Sequence, residues 1–192
     1  MAQSVKNTVY SKPKAGGAVW SAAEATTPPT DASSSLADAF GGWGYVSEDG
    51  IKENGSISST TQKAYGGSTV LTIEAGNDVT YTFTPLEYAN PVVQRELYGD
   101  GNVKDSDGTL ASVKMTDDAH GRRVFVFEHI LSNGQIERDV LPCAQVTAIG
   151  TNTYSSSAAL GPEVTVTPYP DENGVKVYKY FASATKAAEA TE

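Results

Sequence analysis

Residues 79–84 read Val79-Thr80-Tyr81-Thr82-Phe83-Thr84, and no other stretch of the sequence restricts the fold as tightly. Strict alternation puts Val79, Tyr81 and Phe83 on one face and three threonines on the other, the pattern of a half-buried strand. A strand needs neighbours, and the chain offers them at 5–10, 18–21, 43–46, 51–57, 69–73, 110–115, 122–131, 135–141, 144–149, 163–167 and 175–181. Turn residues punctuate these segments: Gly16-Gly17, Asp49-Gly50, Gly66-Gly67, Gly76-Asn77, 116–121, Asn133-Gly134, Pro142 and 171–174. Asn54-Gly55 falls inside 51–57 and suits a tight hairpin turn. Residues 60–65 are polar and fit either a strand or a flexible loop. Val124-Phe125-Val126-Phe127 is apolar on both faces, which predicts a central strand. Six or more strands spaced by turn signals predict a mainly β domain, a sandwich or a barrel.

Two helices are expected. Asp31 is a fair N-cap for a short helix over 32–40, with Leu36 and Phe40 one turn apart and Gly41-Gly42 as its stop. The better-defined helix starts after Asn90. Pro91 suits the first helical position, Gly99 fits the C′ position, and Val93 and Leu97 share a face. Pro28-Pro29 keeps 26–30 extended or turned. Residues 150–160 are a Ser- and Thr-rich loop. One domain over 1–181 follows, with an N-terminal arm over 1–30 and an Ala-rich, charged, frayed tail over 182–192.

Composition narrows the function. Hydrophobic residues make up 39% of the 192 positions, so the core is modest. No apolar run approaches the roughly 18 residues of a membrane span. The first residues lack the apolar stretch of a signal peptide, so secretion by that route is not expected. A net charge of −9 argues against tight nucleic-acid binding, which relies on Lys and Arg to neutralise phosphates. Cys143 is the sole cysteine. It has no internal disulfide partner and is expected as a small buried apolar side chain.

Catalysis finds no positive signal. His120 lies near Asp117 and Asp118, and His129 beside Glu128, but a metal centre needs a further ligand at the right distance. Asp100, Asp105 and Asp107 sit among Gly, Asn and Ser, a little like a calcium loop. The flanking helices and the closing glutamate are missing, so a solvated acidic turn is expected. No Gly-x-Ser-x-Gly, phosphate loop or Cys-x-x-Cys occurs. Arg122-Arg123 fits a solvated strand edge. Trp20, Trp43, Tyr45 and Tyr65 could line a ligand platform, although core packing is the commoner use. The expectation is no enzyme, no cofactor and no metal.

A series of short segments gives the sequence a family likeness. Lys12-Pro13-Lys14-Ala15-Gly16-Gly17-Ala18-Val19-Trp20 comes first, then Pro28-Pro29-Thr30-Asp31. Leu36-Ala37-Asp38-Ala39-Phe40 leads into Gly44-Tyr45-Val46-Ser47-Glu48-Asp49-Gly50-Ile51. Thr82-Phe83-Thr84-Pro85-Leu86-Glu87 and Leu97-Tyr98-Gly99 follow. Each piece is short, and their order and spacing carry the weight. Together they resemble the major tail (tail tube) proteins of long, non-contractile bacteriophage tails, over about the first 105 residues. Many members carry an added immunoglobulin-like domain, for which this chain has no room.

The resemblance implies a β-sandwich or flattened barrel with one short flanking helix and long loops or arms. It implies a virion protein, made in the host bacterial cytoplasm, that stacks as hexameric rings into a hollow tube. DNA would pass through the lumen without specific binding, and the tape measure, tail terminator and distal tail proteins would be further partners. No membrane is involved. Two rivals stand beside it: a secreted or surface carbohydrate-binding sandwich, and a small hydrolase using scattered carboxylates.

The segment expected to join subunits is 51–67. It is mainly polar, and Ile51, Ile57 and Tyr65 are its sizeable apolar side chains. Such a stretch buries too little surface to order itself within one small domain. The expected inter-subunit residues are Ile51, Lys52, Glu53, Ile57, Gln62, Lys63 and Tyr65.

Overall fold

The computed structural model describes residues 7–118 and 120–183. In chain order its strands are β1 (Ser11–Pro13), β2 (Val19–Ala23), β3 (Gly41–Gly42), β4 (Lys52–Lys63) and β5 (Thr69–Phe83), then the helix α1 (Pro91–Tyr98). There follow β6 (Val103–Ser106), β7 (Thr109–Val113), β8 (Arg123–Leu131), β9 (Gln135–Ile149), β10 (Val164–Pro168) and β11 (Tyr178–Ser183). The fold is mainly β: one nine-stranded antiparallel sheet, a separate β6–β7 hairpin and one short helix.

The sheet is ordered β3-β2-β8-β9-β10-β5-β4, with β1 also on β8 and β11 also on β9. It bends over its own core. Tyr81 of β5 stacks on Phe127 of β8 with ring centroids 4.7 Å apart, although two strands separate them in the ladder. Trp43, Phe83 and Phe125 complete the aromatic centre. The alternation at 79–83 is therefore realised as expected, with Tyr81 and Phe83 buried. Val124 to Glu128 are buried without a break, as a central strand requires. Among the described residues, pairing does not close into a barrel. A single bridge, Val46 to Pro85, ties the segment after β3 to the end of β5. Gly44 makes that approach possible: its φ is +76°, and a Cβ there would collide with the Glu87 carboxylate. That carboxylate accepts the Tyr45 N–H at 3.1 Å.

Helix α1 forms where its caps predict. Asn90 Oδ1 accepts the Val92 N–H at 2.9 Å, Pro91 opens the helix, and the Gly99 N–H returns to the Arg95 carbonyl. Val93 and Leu97 are fully buried against the sheet. At eight residues α1 owes its stability to that docking rather than to its own ladder.

Several expectations are corrected. The first strand is Ser11–Pro13 on β8, whereas residues 8–10 of the expected 5–10 strand are irregular and residues 5–6 lie outside the described part. No helix forms over 32–40. Asp31 Oδ1 caps a turn by accepting the N–H groups of Ser33 and Ser34, both at 2.6 Å. The carbonyls of Asp31 and Ser34 go to the buried Arg138 guanidinium, each at 2.7 Å, and so are lost to a helix. The strand expected at 43–46 does not form: Gly41–Gly42 pair with β2 instead, Trp43 turns into the core, and Val46 makes an isolated bridge.

Neither Asn54-Gly55 nor Gly76-Asn77 turns the chain. Both lie inside β4 and β5, and the reversal falls at Gly66-Gly67, with φ of +111° and +92°. Residues 60–63 are accordingly strand. Pro142 does not end a strand either. Val124 faces the two residues Pro142 and Cys143 at a bulge, a position that needs no ladder N–H. Cys143 is half-buried rather than buried. The acidic stretch at 99–108 holds β6, and Asp107-Gly108 turns it into β7. Strands β10 and β11 do not pair with each other; both line β9. The described part of the expected tail, residues 182–183, extends β11. The remainder, 184–192, lies outside the described residues.

Candidate assembly surface

Strands β4 and β5 make a long hairpin whose register runs from Lys52↔Thr82 to Lys63↔Thr69. At roughly 3.3 Å per residue the twelve residues of β4 extend about 35–40 Å. Only its base belongs to the body. Tyr81–Phe83 pair with β10, and Tyr81 OH donates to Asp139 Oδ2 at 2.8 Å. Lys179 Nζ bridges Asp139 at 3.1 Å and Glu53 at 2.5 Å. Burial and that acidic neighbour push the Tyr81 hydroxyl well above its ordinary pKa, so it stays a donor. Lys52 pairs with Glu163 at 3.7 Å, and Lys176 with Asp78 at 3.1 Å.

Every residue from Lys52 to Asp78 is exposed. Among the described residues, β4 pairs with β5 alone, and β5 meets β10 only over its last three residues. Both edges beyond the base therefore present unpaired N–H and C=O groups. A lone two-stranded hairpin is marginal in water. Natural edges are blunted by lysine, proline, bulges or inward charge. Strand β4 has no proline, both extra residues of the ladder are on β5, and from Asn54 to Asn77 the charged residues are Lys63 and Glu74 alone. Apolar side chains stand out along it: Ile57, Tyr65, Val70, Leu71 and Ile73 are exposed.

The expected contact residues divide into two groups. Lys52, Glu53, Ile57, Gln62, Lys63 and Tyr65 all lie on the hairpin, with Lys52 and Glu53 at its base and Tyr65 in its turn. Ile51 is half-buried and packs on the core, so it belongs to the body. The β5 half of the hairpin, with its exposed Val70, Leu71 and Ile73, is not among the expected contact residues. Its signal was present: the apolar stretch at 69–73 runs on to the alternation at 79–83 once Gly76-Asn77 is not taken as a turn.

Two of the clefts among the described residues hold titratable side chains. One, of about 730 Å³, lies at the hairpin's base between 11–18 and 44–51, with Glu87 and His129 on its wall. Burial holds His129 below the usual histidine pKa. The other, of about 460 Å³, is lined by Glu96, Asp100, His120 and Arg123. Burial raises the Glu96 carboxyl to about 7, against the opposing pull of Arg123. Ser21 Oγ donates to Glu96 Oε1 at 2.9 Å and itself accepts from Trp43 Nε1 at 2.9 Å. Arg123 Nε lies 3.3 Å from Glu96, and its Nη2 2.6 Å from Asp100. These polar groups engage one another. Asp105 is taken by Arg95. Among the described residues no three His, Cys, Asp or Glu side chains gather as a metal site would require.

No protein-family model matches the sequence, and no curated protein matches it.

Proposed function

We propose that this chain is a structural virion protein that polymerises, as stacked hexameric rings, into the tail tube of a long-tailed bacteriophage. The observation that carries the reading is the β4–β5 hairpin: long, uncharged over most of its length, unpaired among the described residues on both edges beyond its base, and attached to an otherwise acidic chain. A head-to-tail contact that closes makes a ring, and rings stacked with a rotation make a tube. An exposed hairpin supplies such a contact by adding its edge to a neighbour's sheet. The bent antiparallel sheet with one docked helix is compatible with the tail-tube β-sandwich that the sequence resembles. Net charge of −9 suits a lumen along which DNA slides without sticking. The other tail proteins named above would then meet this chain at the ends and inside of the tube.

Negative-stain microscopy tests the reading. The comparison is with a chain whose residues 57–77 are replaced by Asn-Gly, a two-residue turn that keeps the Ser56↔Asp78 pair. Rings or tubes are expected of the intact protein, and folded monomers of the shortened one. An intact protein that stays monomeric at high concentration would sink the proposal.

A further inference from the structure

The hairpin does not present one face along its length. Residues paired across it share a face, so Glu53↔Tyr81, Gly55↔Val79 and Ile57↔Asn77 continue the inward, core-side face. The Lys179–Glu53 contact beside Tyr81 agrees with that assignment. Beyond Ser58↔Gly76 the ladder skips Ala75 and resumes at Ser59↔Glu74. Parity along β5 therefore reverses. Ile73 and Leu71, which unbroken alternation from Tyr81 would put on the core-side face, instead pair with Thr60 and Gln62 on the outward one. Both are about half exposed, at 54% and 53%.

We infer that this outward face near the tip, Leu71 and Ile73 flanked by Thr60 and Gln62, is the joint to a second copy of the chain, and that the Ala75 bulge sets its aspect. The inference rests on the assembly reading above and names the face used. Charge identifies the occupant. Two chains of net charge −9 repel, and a partner of opposite charge would be met by acidic residues; this stretch carries Lys63 and Glu74, which cancel. A neutral, Thr-flanked apolar strip on an acidic body fits a copy of itself better than a basic partner.

The test separates face from bulge. Inserting one threonine between Ser58 and Ser59 gives Ala75 a partner, which moves Leu71 and Ile73 to the core-side face. Deleting Ala75 removes the bulge but leaves Ile73↔Thr60 and Leu71↔Gln62 on the outward face. A third chain carries Leu71→Ser and Ile73→Ser. Thermal melts verify folding, and sedimentation with microscopy reads assembly. Expected are assembly of the intact and Ala75-deleted chains, and at least a tenfold rise in the concentration needed for assembly of the other two. If the intact protein assembles and the insertion chain assembles equally well, the face is wrong while the tube reading survives. Loss of assembly in the Ala75-deleted chain would assign the joint to the bend and overturn the face as well. A monomeric intact protein would overturn both.

Discussion

Arg138 is fully buried in the sheet, and hydrogen bonds to Glu128, Asp31 and Ser34 hold it there. Its Nε and Nη2 reach Glu128 Oε1 at 3.0 and 2.6 Å, and its remaining donors take the carbonyls of Asp31 and Ser34. Lys14 caps the same carboxylate at 2.8 Å. Removing one partner of a buried pair leaves the other charge without compensation, so Arg138→Ala should cost about 3–5 kcal/mol. Urea unfolding reads this directly, and a loss below about 1 kcal/mol would show that the 31–34 turn does not depend on it. Glu96 makes a different prediction. Its folded pKa of about 7 lies above the ordinary carboxylate value, so the folded state holds a proton that the unfolded state has released. Stability from this group is full below pH 4.5 and falls as pH rises to 7, by about 3 kcal/mol at most. His129, whose pKa is lowered by burial, acts in the opposite direction over part of that range. It is common to both proteins when the Glu96→Gln variant is compared with the parent. The variant should gain on the parent between pH 5 and pH 8. A difference that stays constant with pH would mean Glu96 keeps an ordinary pKa.

At the scale of elements, helix α1 is the cleanest case of structure following from sequence. A cap, a proline and a glycine define it, and one buried stripe docks it. Val93→Asp puts a carboxylate where no water reaches and should cost roughly 3–5 kcal/mol, lowering the melting temperature by about 10 °C. An unchanged melting temperature would mean the stripe does not dock. The central strands were equally legible, because unbroken burial leaves an unbroken apolar run at Val124–Phe127. What misled was local turn chemistry. Asn54-Gly55, Gly76-Asn77 and Pro142 each carry turn or breaker signals, yet each lies within a strand. A two-residue turn competes only with the pairing it would interrupt. Here that pairing is a ladder of twelve residues against fifteen, with Gly66-Gly67 free to make the reversal. Pro142 is tolerated because its place is a bulge, and bulges depend on a partner strand far away in sequence. The Asp31 turn failed as a helix for the same kind of reason: Arg138 takes its carbonyls from more than a hundred residues away. On the hairpin, the apolar Ile57 and Tyr65 are legible in a polar stretch, although Ile57 lies on the face opposite the proposed joint and Tyr65 in the turn. Leu71 and Ile73 are legible as part of a strand, but the face they occupy is not, because it depends on one unpaired residue in the ladder.

At the scale of the whole molecule, charge and shape oppose each other. A chain of net charge −9 resists association with its own kind, and resistance is strongest where screening is weakest. The screening length is about 30 Å at 0.01 M salt and about 8 Å at 0.15 M. At the lower salt, bodies held apart by a hairpin about 35–40 Å long still feel one another; at the higher salt they do not. The proposed joint contains no ion pair to be screened, since backbone ladder bonds and the Leu71–Ile73 strip make it. Salt should therefore act in one direction only. Assembly should be slow near 0.01 M and speed up at least tenfold by 0.15 M, and tubes once formed should persist at 1 M, where apolar contacts are if anything stronger. Light scattering after a salt jump follows the first step, and microscopy after dilution into high salt follows the second. Tubes that dissolve at 1 M salt would point to an ionic joint, which the outward face of Thr60, Gln62, Leu71 and Ile73 does not provide.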